Sequence, residues 1–188
     1  MKIHLTIISC IFLFVSCSSP SQPEKEVNNS THQANWKTEL EQSLKLFGHR
    51  NWIVVADAAY PQQSNPAIKT ISIDATQLEA VDFVSQSIKI APHVEANIFV
   101  DKELSFVPEK DAKGIEAYRA ELNQILAGKN VKTMLHEDII RELDASAKLF
   151  NVLIIKTEMA LPYTSVFFQL ECGYWNSEAE ENLRKEIF

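Results

Sequence analysis

Apolar residues recur at helical spacing at Trp36, Leu40, Leu44 and Phe47, and Gly48 then stops the run. After it the pattern changes. Trp52–Ala56 is continuously apolar and carries the β-branched pair Val54 and Val55, which predicts a buried strand. Gly48-His49-Arg50-Asn51 precedes that strand and Asp57-Ala58-Ala59-Tyr60-Pro61 follows it. On this stretch alone, a core strand with a capping histidine and a turn aspartate accounts for the pattern. Polar groups at both ends of a buried strand are also where α/β enzymes tend to keep their chemistry.

Further along, residues 58–67 hold Pro61 and Pro66 and read as a loop, and residues 69–73 alternate as a strand. Residues 76–88 predict a helix with Leu78, Val81, Val84 and Ile88 inward. Strand 96–100 follows. A long helix over 111–127 turns Ile115, Tyr118, Leu122, Ile125 and Leu126 inward and is closed by Gly128. A short strand over 131–135, a helix over 137–149 and strands over 152–155 and 166–170 complete the pattern, with a charged helix over 177–187. Mostly alternating strands and helices predict an α/β layered sheet.

The N-terminus differs in kind. Met1-Lys2, an apolar run over 3–15 and Ser16-Cys17 describe a secretory signal over 1–16. Phe14-Val15-Ser16-Cys17 resembles a bacterial lipoprotein signal with Phe14 in place of the usual leucine; an ordinary signal peptide is the alternative. Cleavage there leaves Cys17 for lipidation, and two or three acyl chains give stable membrane attachment. Residues 17–35 are polar and read as a flexible tether to a folded domain over 36–175, extended by a C-terminal helix over 176–188. The expected address is the cell envelope, with the membrane as partner through the anchor. Cys10 leaves with the signal, so Cys172 is the one thiol of the mature domain not assigned to lipid; it reads as a core residue.

A net charge of -7 argues against a nucleic-acid partner. Four glycines leave little room for a phosphate-binding loop. His49, His93 and His136 lack short metal-ligand spacing, so no metal is expected. His93, after Pro92, reads as a surface residue.

Gly48-His49, the apolar strand, Asp57-Ala58 and the nearby proline resemble the D-ribose pyranase and L-fucose mutarotase (RbsD/FucU) family. Thr157-Glu158 with Pro162-Tyr163-Thr164-Ser165 and Val166-Phe167-Phe168 is similar to the family's Gly-Glu, Tyr-x-Asn and final hydrophobic strand. Tyr118-Arg119-Ala120-Glu121-Leu122 resembles a helix of the fucose branch, and His136-Glu137-Asp138-Ile139 the ribose branch's His-Glu-x-Phe. The resemblance implies a cofactor-free isomerase acting on a free monosaccharide, and a homo-oligomer with sites near subunit boundaries. It implies His49 as the catalytic acid/base. Asp57, His136, Tyr163, Thr164 and Ser165 are then the substrate-binding residues. Ser165 departs from the family's asparagine and offers one hydroxyl in place of an amide. A sugar-binding lipoprotein without turnover is the alternative, and a structural or assembly lipoprotein a more distant one.

Ring opening needs one group to take the anomeric hydroxyl proton and another to give a proton to the ring oxygen. His49 and Asp57 are eight residues apart in sequence. An extended chain of that length separates them by more than ~20 Å. Either the chain curls at one end of the strand, or the site joins residues from two subunits.

Overall fold

The computed structural model describes residues 29–188, with side chains described from Trp36 onward. Cys17, the signal segment and most of the expected tether lie outside the described residues. Helix α1 (Asn29–Leu46) starts inside the stretch expected to be tether. Extending a helix from a packed turn costs far less than nucleating one, so polar residues can join it.

Among the described residues, six strands form a single sheet: β1 (Trp52–Ala56), β2 (Ile68–Ser72), β3 (Val94–Asp101), β4 (Val131–Met134), β5 (Val152–Lys156) and β6 (Val166–Cys172). Their spatial order is β2-β5-β1-β6-β3-β4. β2, β5 and β1 run parallel, as do β3 and β4, and β6 is antiparallel to both β1 and β3. All five parallel strands therefore end at one edge of the sheet, where β6 begins.

β1 is buried at all five positions because both faces are covered. Ile53 and Val55 pack under α1, α2 (Gln77–Ile90) and α3 (Ile115–Ile125). Trp52, Val54 and Ala56 pack with Ile139 and Leu143 of α4 (His136–Ser146) on the other face. Thr76 caps α2 and forms a reciprocal pair with Glu79. The Thr76 backbone N–H, and after it the Thr76 hydroxyl, donate to the Glu79 carboxylate and hold it below its ordinary range.

α3 begins at Ile115, later than the periodicity predicts, because Gly114 adopts a left-handed φ of 97° that no helix interior accepts. The intervening chain forms a 3₁₀ turn over Lys102–Phe106. α5 (Ser177–Ile187) carries no buried residue and is capped by Asn176.

Candidate functional site

In open α/β sheets ligands sit beyond the carboxyl ends of the parallel strands. At that edge here, Asp57 follows β1, Asp101 ends β3, His136 opens α4 directly after β4, and Tyr163 precedes β6. A cavity of about 710 Å³ opens there, lined by Asp57, Tyr60, His136 and Tyr163 with apolar walls from Ile140, Met159 and Leu161. A few convergent polar groups in an apolar pocket suit a small hydroxylated ligand.

The Asp57 carboxylate accepts the Ala59 N–H at 2.9 Å and the Ser165 hydroxyl at 3.1 Å. Ser165 is buried and also accepts the Asp57 N–H at 3.3 Å, so its hydroxyl is spent on the aspartate. Thr164 is buried too, and its hydroxyl donates to the Leu161 carbonyl. Neither Thr164 nor Ser165 lines the cavity. They hold its wall, while Tyr163 projects into it. Tyr163 takes a left-handed φ of 59°. That conformation is costly for a non-glycine residue, and it is kept where surrounding contacts fix it.

Those contacts centre on Gln77. Its Nε2 donates to the Thr164 carbonyl at 2.8 Å and to the Val55 carbonyl at 3.2 Å, and its Oε1 accepts the Thr157 hydroxyl. The Tyr118 hydroxyl donates to the same Thr164 carbonyl at 2.7 Å. Burial pushes the Tyr118 phenol above its ordinary range.

His136 is set by two acidic residues. Its backbone N–H donates to Glu103, and its ring Nδ1 donates to Asp101 Oδ2 at 3.0 Å. Its ring meets the Tyr163 ring in a T-shaped contact, with centroids 5.7 Å apart. The Asp101 side chain is fully buried, and its Oδ1 has no hydrogen-bond partner among the described residues. Burial pushes the Asp101 carboxyl up to about 6, against the pull of His136 and with smaller pushes from Glu103 and Asp57. Tyr60 is raised above the ordinary phenol range by burial first, then by Asp144, Asp101 and Asp57.

His49 is at the opposite edge of the sheet. The turn before β1 is fixed by the Asn51 side chain, which accepts the Gly48 N–H at 2.9 Å, and by Arg50 in a left-handed φ of 74°. The Arg50 N–H reaches the Leu170 carbonyl of β6 at 2.8 Å. This places His49 Nδ1 2.8 Å from Glu171 Oε2 near the end of β6. Glu171 Oε1 accepts from Asn97, whose own carbonyl accepts from Asn130 at 2.7 Å. His49 is half exposed and does not reach the cavity of its own chain.

The structure thus brings Asp57, His136 and Tyr163 together, sets Thr164 and Ser165 behind them, and leaves His49 apart. His93 is a structural residue: its Nε2 donates to the Leu44 and Phe47 carbonyls at 2.9 and 3.2 Å, closing the end of α1. Among the described residues no cluster of histidine, cysteine and carboxylate side chains is placed to hold a metal ion. Asp101, Gln77 and Glu171 are the residues that sequence reasoning missed. Asp101 had a usable signal, a charge ending an apolar strand, which is the signal that marked Asp57.

The sequence profile of the RbsD / FucU transport protein family matches residues 32–173, spanning the cavity residues and His49 alike. The chain belongs to this family. Among solved structures it is similar to Bacillus subtilis RbsD complexed with D-ribose, at 17% identity and a TM-score of 0.50, over 71% of this chain and 92% of that one. It is also similar to FucU from Bifidobacterium longum (15% identity, TM-score 0.49, 71% and 94% covered). The fucose mutarotase of Streptococcus pneumoniae in complex with L-fucose has 23% identity and a TM-score of 0.47, with 71% and 91% covered. No curated protein sequence matches. The RbsD / FucU profile ends at residue 173, so α5 lies beyond the matched segment.

Proposed function

We propose that this chain interconverts ring forms or anomers of a free monosaccharide, ribose- or fucose-like, by acid/base ring opening. Membership of the RbsD / FucU family supports the reading, as does the binding of D-ribose and L-fucose by proteins of similar fold. The observation that carries it is the cavity at the carboxyl edge, where Asp57, His136 and Tyr163 converge between apolar walls. Aspartate accepts sugar hydroxyls, a tyrosine ring packs against sugar C–H groups, and histidine exchanges protons near neutral pH.

His49 enters this reading from a second copy of the chain. Its ring Nδ1 is engaged by Glu171, so the group available for proton transfer is Nε2 on an exposed edge. Such a histidine serves a site it does not share a chain with. The expected assembly is a homo-oligomer in which His49 of one copy faces the cavity of the next.

Saturation-transfer NMR on D-ribose and L-fucose tests the activity. The full chain should speed exchange between ring forms of one of these sugars, and His49→Ala should reduce that exchange at least ~100-fold, the usual worth of a general acid/base. Undiminished exchange in the variant removes His49 from the mechanism. One observation favours a second reading, sugar binding without turnover: the Ser165 hydroxyl is turned to Asp57 rather than into the cavity. Calorimetric binding of either sugar with no exchange enhancement would establish that alternative.

A further inference from the structure

Ring opening moves two protons, and His49 handles one. The second must come from a group at the cavity that can both give and take a proton. The titratable side chains lining the cavity are Asp57, Tyr60, His136 and Tyr163. Each Asp57 oxygen already accepts one protein hydrogen bond, from Ala59 and from Ser165, and its remaining lone pairs serve as acceptors for sugar hydroxyls. Burial and neighbouring carboxylates hold the Tyr60 phenol above its ordinary range, which suits it poorly to proton exchange near neutral pH. Among the described residues no base is hydrogen-bonded to the Tyr163 hydroxyl; its ring meets the His136 ring in a T-shaped contact.

His136 has what the others lack. Its Nδ1 is taken by Asp101, so its tautomer is set, and among the described residues no group is hydrogen-bonded to Nε2. An aspartate behind an imidazole orients the ring and stabilises its charged form. Asp101 is fully buried with Oδ1 unpartnered, so its one hydrogen-bond partner among the described residues is the His136 ring.

Resting on the reading above, we propose that His136 is the second proton-transfer group, exchanging a proton with the sugar ring oxygen through Nε2, and that Asp101 is its positioning residue. In opening, His49 takes the anomeric O–H proton. The C1–O1 double bond forms as the bond from C1 to the ring oxygen breaks, its electron pair staying on that oxygen. The ring oxygen takes the Nε2 proton of His136. In closing, neutral His136 removes the proton from the attacking hydroxyl, and His49 returns its proton to O1. Attack by the original oxygen on the other face of C1 changes the anomer; attack by a different hydroxyl changes ring size. Protons and electrons balance, and no co-reactant is needed.

The test is exchange of D-ribose and L-fucose by the full chain, measured against sugar concentration so that turnover and KM separate. His136→Gln keeps a hydrogen-bonding side chain and cannot shuttle a proton; it should lower turnover about 100-fold with KM changed less than about threefold. Asp101→Asn should lower turnover about tenfold at similar KM. It should also alter the His136 ring nitrogen signals in ¹⁵N-detected spectra, a signature that loss of packing alone does not produce. Circular dichroism confirms folding of each variant. A His136→Gln protein that retains turnover but needs far more sugar overturns the proposal, since His136 is then a contact and nothing more. A wild-type chain with no exchange on either sugar overturns it together with the reading it rests on. Wild-type exchange combined with full turnover in His136→Gln overturns it alone.

Discussion

A carboxylate buried at the end of β3 stands against the usual rule that ionised groups stay wet. The Asp101 pKa rises from 3.8 to about 6, so the folded state holds its proton more tightly than the unfolded chain does. That sign sets the pH dependence. Its contribution to stability is full below the unfolded value near 3.8 and is lost as the pH climbs through about 6. Asp101→Asn removes the titration while keeping an oxygen for His136 Nδ1–H. From pH 4 to pH 7.5 the wild type should therefore lose stability relative to the variant, on the order of 2 kcal/mol. For a domain this size that is about 5 °C in the difference of Tm shifts. Parallel Tm shifts in the two proteins, followed by circular dichroism across that range, would show that burying Asp101 carries no such cost. The sequence marked His136 through its motif and passed over the aspartate that orients it. The two lie far apart in the chain and meet because β3 and β4 are neighbours, a pairing that no local pattern encodes.

At the scale of elements, the local patterns were legible where burial is uniform. β1 occupies the five residues its apolar run predicts, and the α5 span agrees with its charge pattern. Boundaries moved where single backbone angles decide, as at Gly114. What the periodicity could not show is how strand ends are tied to one another. Gln77 sits in the first turn of α2, where a glutamine usually faces water, yet it is buried and joins the ends of β1 and β5 to the start of β6. Gln77→Ala would remove the hydrogen bonds to the Val55 carbonyl and from the Thr157 hydroxyl, which keeps the Ala56 carbonyl as an acceptor. The expected loss is about 1–3 kcal/mol, since each lost hydrogen bond is worth about 0.5–1.5 kcal/mol net. Thr164 keeps its bond from Tyr118, so Tyr163 should loosen rather than detach. Urea denaturation gives the first number, and a raised KM for the sugar with little change in turnover gives the second. A variant as stable as wild type would show that Gln77 is a passenger in the wall.

At the scale of the molecule, the eight-residue gap between His49 and Asp57 decides how the site is built. Of the two routes open from sequence, curling of the chain is excluded within one copy: β1 is a regular strand paired along its length to β5 and from Trp52 to Val55 to β6, and His49 is held at its far end by Glu171. The proposed reading therefore draws the acid/base from a second copy, and that can be tested without a structure of the assembly. His49→Ala retains a complete cavity, and Asp57→Asn retains a complete histidine. Each alone should be inactive. Mixed under conditions that let copies exchange, about a quarter of the sites should pair an intact His49 with an intact Asp57, if neighbours assort at random in a symmetric ring. Exchange of sugar ring forms should therefore return to about a quarter of the wild-type rate per chain, and a chain carrying both substitutions should restore nothing when mixed with either. If each site drew His49 and Asp57 from the same chain, mixing would recover no activity at any ratio. The Glu171 carboxylate gives the result a structural reading. It is anchored through Asn97 and Asn130 to β3 and β4, so His49 is held by the sheet rather than by a free loop. A histidine fixed in that way reaches a neighbour's cavity only when two copies dock edge to edge in one register, so recovery on mixing would also define the assembly.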